Sequence, residues 1–306
     1  MFLSEYAPIE YLTSQDEPGV LSIIIERKGP GYRSIGAMMA FSHSGDKIGS
    51  LSSGCIEDDL WLVAKESLQT NMPVVTHYGS ESKIIDLKLP CGGDMKILSL
   101  PNPNREILEN ILLSLKKRKE IGLSISLSSG KIVLSGPVQC GLEKEIFKCN
   151  LVPELKLIVM GTGIEVEAFC SLSLAANIKL ELLTPDLTLI EHKFSSVENL
   201  HHLKSLSEIP NLSIDGWTAI VLFFHDHDWE PPLLHSVLNS NAFYIGAQGS
   251  KSAHRQLVNN LIDMGCSEKE LSQLRSQIGL IPSARDPKTL AISVLADVIK
   301  YSNFNR

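Results

Sequence analysis

The sequence predicts an α/β protein with two domains, an α+β domain over residues 1–150 and a doubly wound parallel sheet over residues 151–306. Its 306 residues exceed the roughly 250–300 at which a single core stops growing, so two domains are expected. The second observation is a change of pattern near residue 155, where short strands and turns give way to apolar strands that alternate with helices. A hydrophobic share of 43% with 21% charged residues is typical of a folded chain and not of a disordered one.

Charge and hydropathy exclude two classes of partner. The 35 acidic residues outnumber the 28 basic ones and give a net charge of −7, which opposes binding to a nucleic-acid backbone. No apolar stretch approaches the roughly 18 residues of a membrane span, and the start of the chain lacks the basic and apolar runs of a secretory signal. We therefore expect a cytoplasmic protein with no nucleic-acid or membrane partner. Its six cysteines form no C-x-x-C pair, so we expect thiols and no zinc site.

Short strands around an amphipathic helix are predicted for the first domain. Strands are expected at residues 20–26, 37–42, 47–51, 74–78, 84–89 and 95–100. The second and third of these flank the turn of a hairpin. Apolar residues at helical spacing predict helices over residues 57–69 and 106–119. Two short strand-like runs follow up to Pro153, and this stretch is either a linker or a late part of the first domain.

The first glycine–cysteine loop (residues 49–57) leads from the hairpin into a predicted helix. Its candidate ligand residues are Ser50, Ser52, Ser53, Gly54, Cys55 and Glu57. Free backbone N–H groups at a helix start favour anions, and they also stabilise a thiolate, which is both a nucleophile and a ligand for soft metals. The alternative is an ordinary serine-rich helix cap beside a small buried cysteine.

The second glycine–cysteine loop (residues 90–94) presents another thiol between two predicted strands. Its candidate ligand residues are Cys91, Gly92 and Gly93, and the alternative is a hairpin with a half-buried cysteine. Arg33 follows a Gly-Pro-Gly turn and is a candidate for a bidentate phosphate contact, against the alternative of a solvated loop arginine. Two thiol loops in one domain together indicate a site for an anionic, sulfur-bearing ligand.

The second domain begins with the unit that a Rossmann fold uses for its phosphate loop. Gly161 and Gly163 lie between an apolar strand and a predicted helix, and both are candidate ligand residues. Three features count against a dinucleotide. Val166 stands at the position of the third glycine, Glu165 adds negative charge, and the next strand ends at Thr184 instead of an acid that would hold a ribose. A Rossmann-like fold without that cofactor is favoured, and an NAD(P)-binding oxidoreductase is the alternative.

Two later segments lie where parallel strands are expected to end, which is where α/β proteins bind ligands. His225, Asp226 and His227 follow the strand at residues 218–224, and metal binding by a hydrolase is weighed there against a solvated loop. Residues 243–249 lead into a basic helix, so a second anion site is weighed against exposed helix charges. The candidate ligand residues of that segment are Gly246, Gly249 and Ser250.

These motifs resemble the XdhC/CoxI family of maturation factors for xanthine dehydrogenase-type molybdenum hydroxylases. The first domain is similar to the family's N-terminal module through Gly29, Arg33, Gly36-Ala37, the string from Gly49 to Glu57, and Cys91-Gly92-Gly93. The second resembles its C-terminal Rossmann-like module through Gly161-Thr162-Gly163, His225-Asp226, residues 243–250 with His254, and residues 278–280 leading to residues 291–296.

The resemblance implies a chaperone whose cargo is the molybdenum cofactor (molybdopterin). Such a protein protects the cofactor while a cysteine desulfurase exchanges an oxo for a sulfido ligand, and then passes it to an apo molybdenum hydroxylase. The resemblance further implies a homodimer, Cys55 and Cys91 facing the molybdenum, and no role for NAD(P). The expected site is a cleft between the domains, lined by the two thiol loops on one side and by the Gly161 turn and His225 on the other. A purely structural adaptor between desulfurase and hydroxylase is the alternative.

The sequence departs from the family pattern at four places. Ser53 stands in place of a second glycine, Ile164 in place of a histidine, and Thr184 in place of an aspartate. Residues 281–284 read Ile-Pro-Ser-Ala in place of Asp-Ile-Gly-Ala. The last three departures lie in the second domain and put a nucleotide or enzyme function there in doubt.

Overall fold

The computed structural model describes residues 4–79, 92–195, 197–206, 209–275 and 277–304. The chain divides into two compact units, an N-terminal unit that ends at Pro153 and a C-terminal unit that begins at Glu154. Among the described residues, no helix is both long enough and apolar enough to cross a bilayer.

An antiparallel sheet organises the N-terminal unit. Its described strands are β1 (Gly19–Lys28), β2 (Met38–Ser42), β3 (Lys47–Gly49), β4 (Val74–Tyr78) and β5 (Asp94–Pro101). They lie in the order β3-β2-β1-β5-β4. The helices of this unit are α1 (Ala7–Ser14), α2 (Glu57–Thr70) and α3 (Arg105–Lys116). The predicted hairpin is confirmed by β2 and β3, and the predicted helices by α2 and α3. The strand expected at residues 84–89 lies outside the described residues.

The central strand β1 is buried on both faces, because successive side chains of a strand point to opposite sides. Ile23 packs in a cluster with Leu108 of α3, whereas Ile24 packs in a separate cluster with Leu60 of α2. Helix α2 is thereby fixed against one face of the sheet. The first glycine–cysteine loop, which ends at the start of α2, is anchored at both ends by regular structure.

A second antiparallel sheet follows within the same unit. Its strands are β6 (Ile121–Ser126), β7 (Ile132–Ser135), β8 (Gly141–Glu143) and β9 (Ile146–Leu151). In the described chain they lie in the order β7-β6-β9-β8. Leu123 and Phe147 pack in the same cluster as Ile23 and Leu108. The stretch before Pro153 therefore shares the core of the N-terminal unit and is not an unstructured connection.

The C-terminal unit is a parallel sheet with helices on both faces. Its described strands are β10 (Lys156–Gly161), β11 (Lys179–Thr184), β12 (Asn199–His202), β13 (Thr218–Phe223), β14 (Tyr244–Ala247) and β15 (Leu274–Arg275). Its helices are α4 (Gly163–Ala175), α5 (Glu230–Val237), α6 (Lys251–Asp263), α7 (Glu268–Leu271) and α8 (Pro287–Phe304), with short helical turns at Leu189–Lys193 and His227–Trp229.

The strand order of this sheet is β12-β11-β10-β13-β14-β15 among the described residues. Numbered from β10 as the first strand, it reads 3-2-1-4-5-6, which is the order of the Rossmann fold. Leu157 and Val159 of β10 pack on the side of α4 and α8, whereas Ile158 and Met160 pack on the side of α5 and α6. The predicted doubly wound sheet is confirmed. The order reverses between β10 and β13, so the crevice where such folds bind ligands lies at the carboxyl ends of these two strands.

Candidate functional site

The first glycine–cysteine loop closes around the carboxylate of Glu57. Oxygen Oε1 accepts hydrogen bonds from Ser50 Oγ at 2.9 Å, from the Leu51 amide at 3.2 Å and from the Ser52 amide at 2.9 Å. Glu57 is the first residue of α2 and only 8% exposed. Its side chain therefore turns back from the helix start into the loop that precedes it.

The second oxygen of Glu57 is held in the same way. Oε2 accepts from Ser52 Oγ at 2.5 Å, from the Gly54 amide at 2.9 Å and from the Ile56 amide at 3.2 Å. Burial by itself raises the pKa of Glu57, but the hydrogen bonds from Ser52, Ser50 and Ile56 outweigh it and lower the pKa to about 2. Glu57 is thus a fixed anion with both oxygens saturated.

Two more amides of the loop are also bound within it. The Ser53 amide donates to Ser50 Oγ at 3.1 Å, and the Cys55 amide donates to Ser52 Oγ at 3.0 Å. Every amide from residue 51 to residue 56 therefore has an acceptor inside the loop. The prediction that these N–H groups are free for a ligand is wrong, because the carboxylate of Glu57 and the hydroxyls of Ser50 and Ser52 already accept from them.

The tip of this loop carries an exposed thiol. Ser53, Gly54 and Cys55 are exposed, and Cys55 is a free cysteine, so the alternative of a buried cysteine at this position is wrong. Ser53 and Gly54 both have left-handed backbone, with φ of 61° and 100°. That conformation is unfavourable for serine and easy for glycine. The loop thus presents Cys55 to solvent on a sharply turned backbone.

The second glycine–cysteine loop is described only from Gly92 onward, because Cys91 lies outside the described residues. Gly93 packs against the Gly-Pro-Gly turn after β1, where a Cβ would lie 2.0 Å from the carbonyl oxygen of Pro30. Gly29 of that turn is also close, since its own Cβ would be 3.6 Å from Gly93 Cα. The glycines at 29 and 93 therefore lie where two backbones cross. The predicted approach of Cys91 to Cys55 stays a prediction.

Arg33 lies in the loop between β1 and β2 and is half-buried. Its Nε is buried without a hydrogen-bond partner among the described residues. Its carbonyl oxygen accepts from Arg27 Nη1 at 3.3 Å, and the same Nη1 donates to the Gly31 carbonyl at 2.9 Å. Arg27 thus braces the loop, while Arg33 keeps a donor for an acceptor group. A buried unpaired donor carries a free-energy cost that a ligand oxygen would remove.

The Gly161 turn lies at the reversal point of the parallel sheet. A Cβ on Gly161 would lie 2.1 Å from the carbonyl oxygen of Phe223, so the close approach of β10 to β13 requires glycine there. Gly163 begins α4 with a φ of 83°. His225, which follows β13, places Nε2 3.3 Å from Glu165 Oε2 in the first turn of α4. The structure therefore brings Gly161, Gly163 and His225 together, as predicted from their strand ends.

The same geometry disfavours a dinucleotide at this turn. A carboxylate oxygen of Glu165 lies 3.5 Å from where a Cβ on Gly163 would be, so negative charge lies at the helix start that would receive a pyrophosphate. Val166 and Thr184 are fully buried. Thr184 Oγ1 accepts from the Asp186 amide at 3.0 Å and presents no carboxylate for a ribose.

Asp226 and His227 make contacts that are separate from the contact of His225 with Glu165. Asp226 caps the short helical turn by accepting from the Asp228 amide at 3.1 Å, and His227 Nδ1 lies 3.0 Å from Glu230 Oε2. Within the residues that the structure describes, no group of three or more His, Cys, Asp or Glu side chains is arranged to hold a metal ion. The hypothesis of a metal-dependent hydrolase on His225, Asp226 and His227 therefore has no support from the geometry.

Glu230 is a buried acid that the sequence analysis did not single out. It is 2% exposed, and its Oε1 has no hydrogen-bond partner among the described residues. Burial raises the pKa of Glu230, against the opposing effect of His227. The only signal in the sequence is an acid directly before Pro231-Pro232 at a helix start, which by itself is a common helix beginning.

The loop after β14 lies beside the end of β13, where the Gln248 amide donates to the Leu222 carbonyl at 2.9 Å. A Cβ on Gly249 would lie 3.9 Å from Cε1 of His227, so the loops after β13 and β14 are neighbours. Ser250 caps α6 by accepting from the Ala253 amide at 3.1 Å. Gly246 is buried in β14, and its Cβ would lie 2.3 Å from Ile278 Cγ2, so close packing explains this glycine.

The fold and the site together define a class of protein: an α+β unit that presents an exposed thiol loop, followed by a Rossmann-like unit with a glutamate beside its glycine turn. Two family models match the chain, "XdhC and CoxI family" over residues 12–79 and "XdhC Rossmann domain" over residues 157–298. The chain belongs to the XdhC and CoxI family.

Relatives extend over most of the chain. The molybdenum cofactor insertion chaperone PaoD of Escherichia coli strain K12 is 29% identical over 280 residues, which cover 91% of this chain and 82% of that protein. A probable xanthine dehydrogenase subunit from Bacillus subtilis strain 168 is 22% identical over 328 residues, 95% of this chain and 96% of that one. The crystal structure of a xanthine dehydrogenase from Bacillus halodurans matches with a TM-score of 0.82 at 24% identity, covering 99% of this chain and 97% of that one. This last likeness is one of fold.

Proposed function

We propose that this protein binds molybdenum cofactor as cargo, assists its sulfuration and hands it to an apo molybdenum hydroxylase of the xanthine dehydrogenase type. The observation that carries the proposal is the exposed thiol of Cys55 on a loop whose amides are all bound internally. Family membership and the likeness to a molybdenum cofactor insertion chaperone support it.

The chemistry of the cargo fits the groups that the N-terminal unit leaves available. A thiolate is a ligand for soft metals, so Cys55 faces the molybdenum that the dithiolene of the pterin carries. The cofactor phosphate needs donors, and the loop amides already donate to Glu57, Ser50 and Ser52. Arg33, whose Nε has no partner among the described residues, is the better phosphate contact. Cys91, Gly92 and the C-terminal crevice at His225 remain further proposed contacts.

Two partners complete the proposal. A cysteine desulfurase supplies the sulfur for the sulfido ligand while the cofactor is held, and the apo-hydroxylase receives the cofactor afterwards. The protein acts as a homodimer.

Cofactor retention tests the role of Cys55 directly. The chain is purified from cells that make the cofactor, and bound pterin and molybdenum are quantified by pterin fluorescence after oxidation and by elemental analysis. We expect both in the unaltered chain, and near-complete loss of both in Cys55→Ser. Cys140→Ser is the matched control, because it removes another exposed thiol of the same unit.

A delivery assay tests the second half of the proposal. Loaded protein is mixed with apo-hydroxylase and cysteine desulfurase, and enzyme activity is followed over time. We expect activation by the unaltered chain and none by Cys55→Ser. An unaltered chain that retains no pterin, or a Cys55→Ser chain that retains as much as the control, contradicts the proposal. Stoichiometric binding of NAD(P) instead would favour an oxidoreductase.

A further inference from the structure

Glu57 and Cys55 are joined by a short chain of hydrogen bonds through Ser52. The hydroxyl of Ser52 donates to Glu57 Oε2 at 2.5 Å, and its oxygen accepts from the amides of Cys55 at 3.0 Å and Ile56 at 3.1 Å. A change at Glu57 therefore reaches the backbone of Cys55 through a single side chain.

The described residues do not pack against the tip of the loop. Among them, a Cβ on Gly54 would meet nothing within 4 Å, and Ser53 and Cys55 are exposed. The tip also keeps a serine at a φ of 61°, which is unfavourable for that residue. Leu51 and Ile56, at the two ends of the tip, are buried in the core. The hydrogen bonds to Glu57 and Ser52 are thus what fixes the backbone on which the thiol stands.

Glu57 itself has no capacity left for a ligand. Each of its oxygens accepts three hydrogen bonds, and the side chain is 8% exposed. This differs from the direct cofactor contact that the sequence suggests for Glu57.

We infer that Glu57 is a positioning residue, which holds the thiol of Cys55 in place for the cofactor and does not touch the cofactor. The inference rests on the proposed function for its purpose, but the positioning itself is independent of it. Preorganised residues of this kind are needed because a reactive group must be held within a fraction of an ångström of its working position.

A nitroxide label on Cys55 measures the positioning without cofactor. The label is attached in a chain in which Cys91, Cys140 and Cys266 are replaced by serine, and its mobility is read by electron paramagnetic resonance. In the parent chain we expect a label whose motion is limited to that of its own linker, because the backbone is fixed. In Glu57→Ala we expect a more mobile spectrum. Asp58→Asn is the matched control, since Asp58 lies in the same helical turn, has a fully exposed side chain and pairs with Lys47. It should leave the spectrum unchanged.

Chemical rescue separates positioning from a general loss of structure. Glu57→Ala removes a fragment of the size and charge of acetate, so added acetate should restore the parent spectrum. Acetamide has the same shape but replaces one acceptor oxygen with a donor group, and it should not restore it. If Glu57→Ala does not fold, Glu57→Gln keeps the volume, and we expect a mobile label there as well.

Cofactor retention links the positioning to function. In chains with native cysteines, Glu57→Ala should lose pterin as Cys55→Ser does, and acetate should restore it. An unchanged label spectrum in Glu57→Ala, or equal rescue by acetate and acetamide, overturns the inference. Retention that is unaffected while the label becomes mobile overturns it too. A chain that shows the acetate effect on the label but binds no pterin contradicts the proposed function and leaves the positioning intact.

Discussion

The first glycine–cysteine loop and the Gly161 turn share a sequence pattern, but their glutamates differ in how fully they are hydrogen-bonded. Both place glycine near the start of a helix whose first turn holds a glutamate, Glu57 or Glu165. Glu57 is buried and accepts six hydrogen bonds from described donors. The one described hydrogen-bond partner of Glu165 is His225 at 3.3 Å, whose side chain is 71% exposed.

A glycine-rich helix start is therefore not by itself an anion site. At the first loop the chain supplies its own acid, and amides before the helix already donate to Glu57. At the Gly161 turn Glu165 places negative charge at the helix start and bonds to His225. The two places also differ in the side chain that each exposes to solvent. The first loop holds a free thiol at an exposed tip, whereas the Gly161 turn presents an exposed imidazole over its glutamate.

The largest expected effect comes from removing each glutamate in turn. Glu57→Ala should lower the free energy of unfolding by about 2–4 kcal/mol, because several largely buried donors lose their acceptor. Glu165→Ala should lower it by less than about 1 kcal/mol, because its single exposed partner is solvated. Denaturant unfolding followed by circular dichroism measures both, and hydrogen exchange of the amides at 51–56 locates the first. Equal effects of the two changes would refute the contrast.

The free energy of unfolding at acid pH gives a second test of the hydrogen-bonded Glu57. The pKa of Glu57 in the folded state is about 2, below its ordinary value of 4.5, so its contribution to stability is fully present above pH 4.5. That contribution, up to about 3 kcal/mol, is lost as the pH falls toward 2 and the carboxylate is protonated in both states. Unfolding free energies of the unaltered chain and of Glu57→Gln should therefore converge between pH 4.5 and 2. A constant difference through this range would contradict the folded-state pKa.

The helices and strands could be predicted from the sequence, whereas the hydrogen bonds of the first glycine–cysteine loop could not. Helix α2 follows from apolar spacing, and the parallel sheet follows from apolar strands such as β10 and β13, because both patterns are local. The hydrogen bonds of Glu57 depend on a loop that turns through two left-handed residues and then meets a side chain from the following helix. No periodic pattern of apolar residues predicts such a loop conformation. The second sheet was equally hard, since Leu123 and Phe147 join a core built mainly by distant segments.

A smaller effect is expected at Ser53, which has a left-handed backbone conformation. Because its φ of 61° is unfavourable for a side chain, Ser53→Gly should raise the free energy of unfolding by about 0.5–1 kcal/mol. Ser53→Val, which places a β-branched side chain in the same conformation, should lower it by more than about 1 kcal/mol. Thermal melts at one protein concentration compare the three chains. A destabilised glycine variant would mean that the Ser53 side chain makes a contact that outweighs the strain.

The smallest expected effect on stability is at His225, and it tests how much the C-terminal crevice adds to the proposed site. His225→Ala should change the free energy of unfolding by less than about 0.5 kcal/mol, because its contact with Glu165 is exposed. Cofactor retention should fall, but less than in Cys55→Ser, because the imidazole is proposed to touch the cargo and the thiol to face its metal. His235→Ala, an exposed histidine of α5, is the control and should change neither quantity. If His225→Ala lost as much cofactor as Cys55→Ser does, the crevice between β10 and β13 would matter for binding as much as the thiol loop. Unchanged retention would confine the site to the N-terminal unit, where the loop that Glu57 closes already holds the thiol in place.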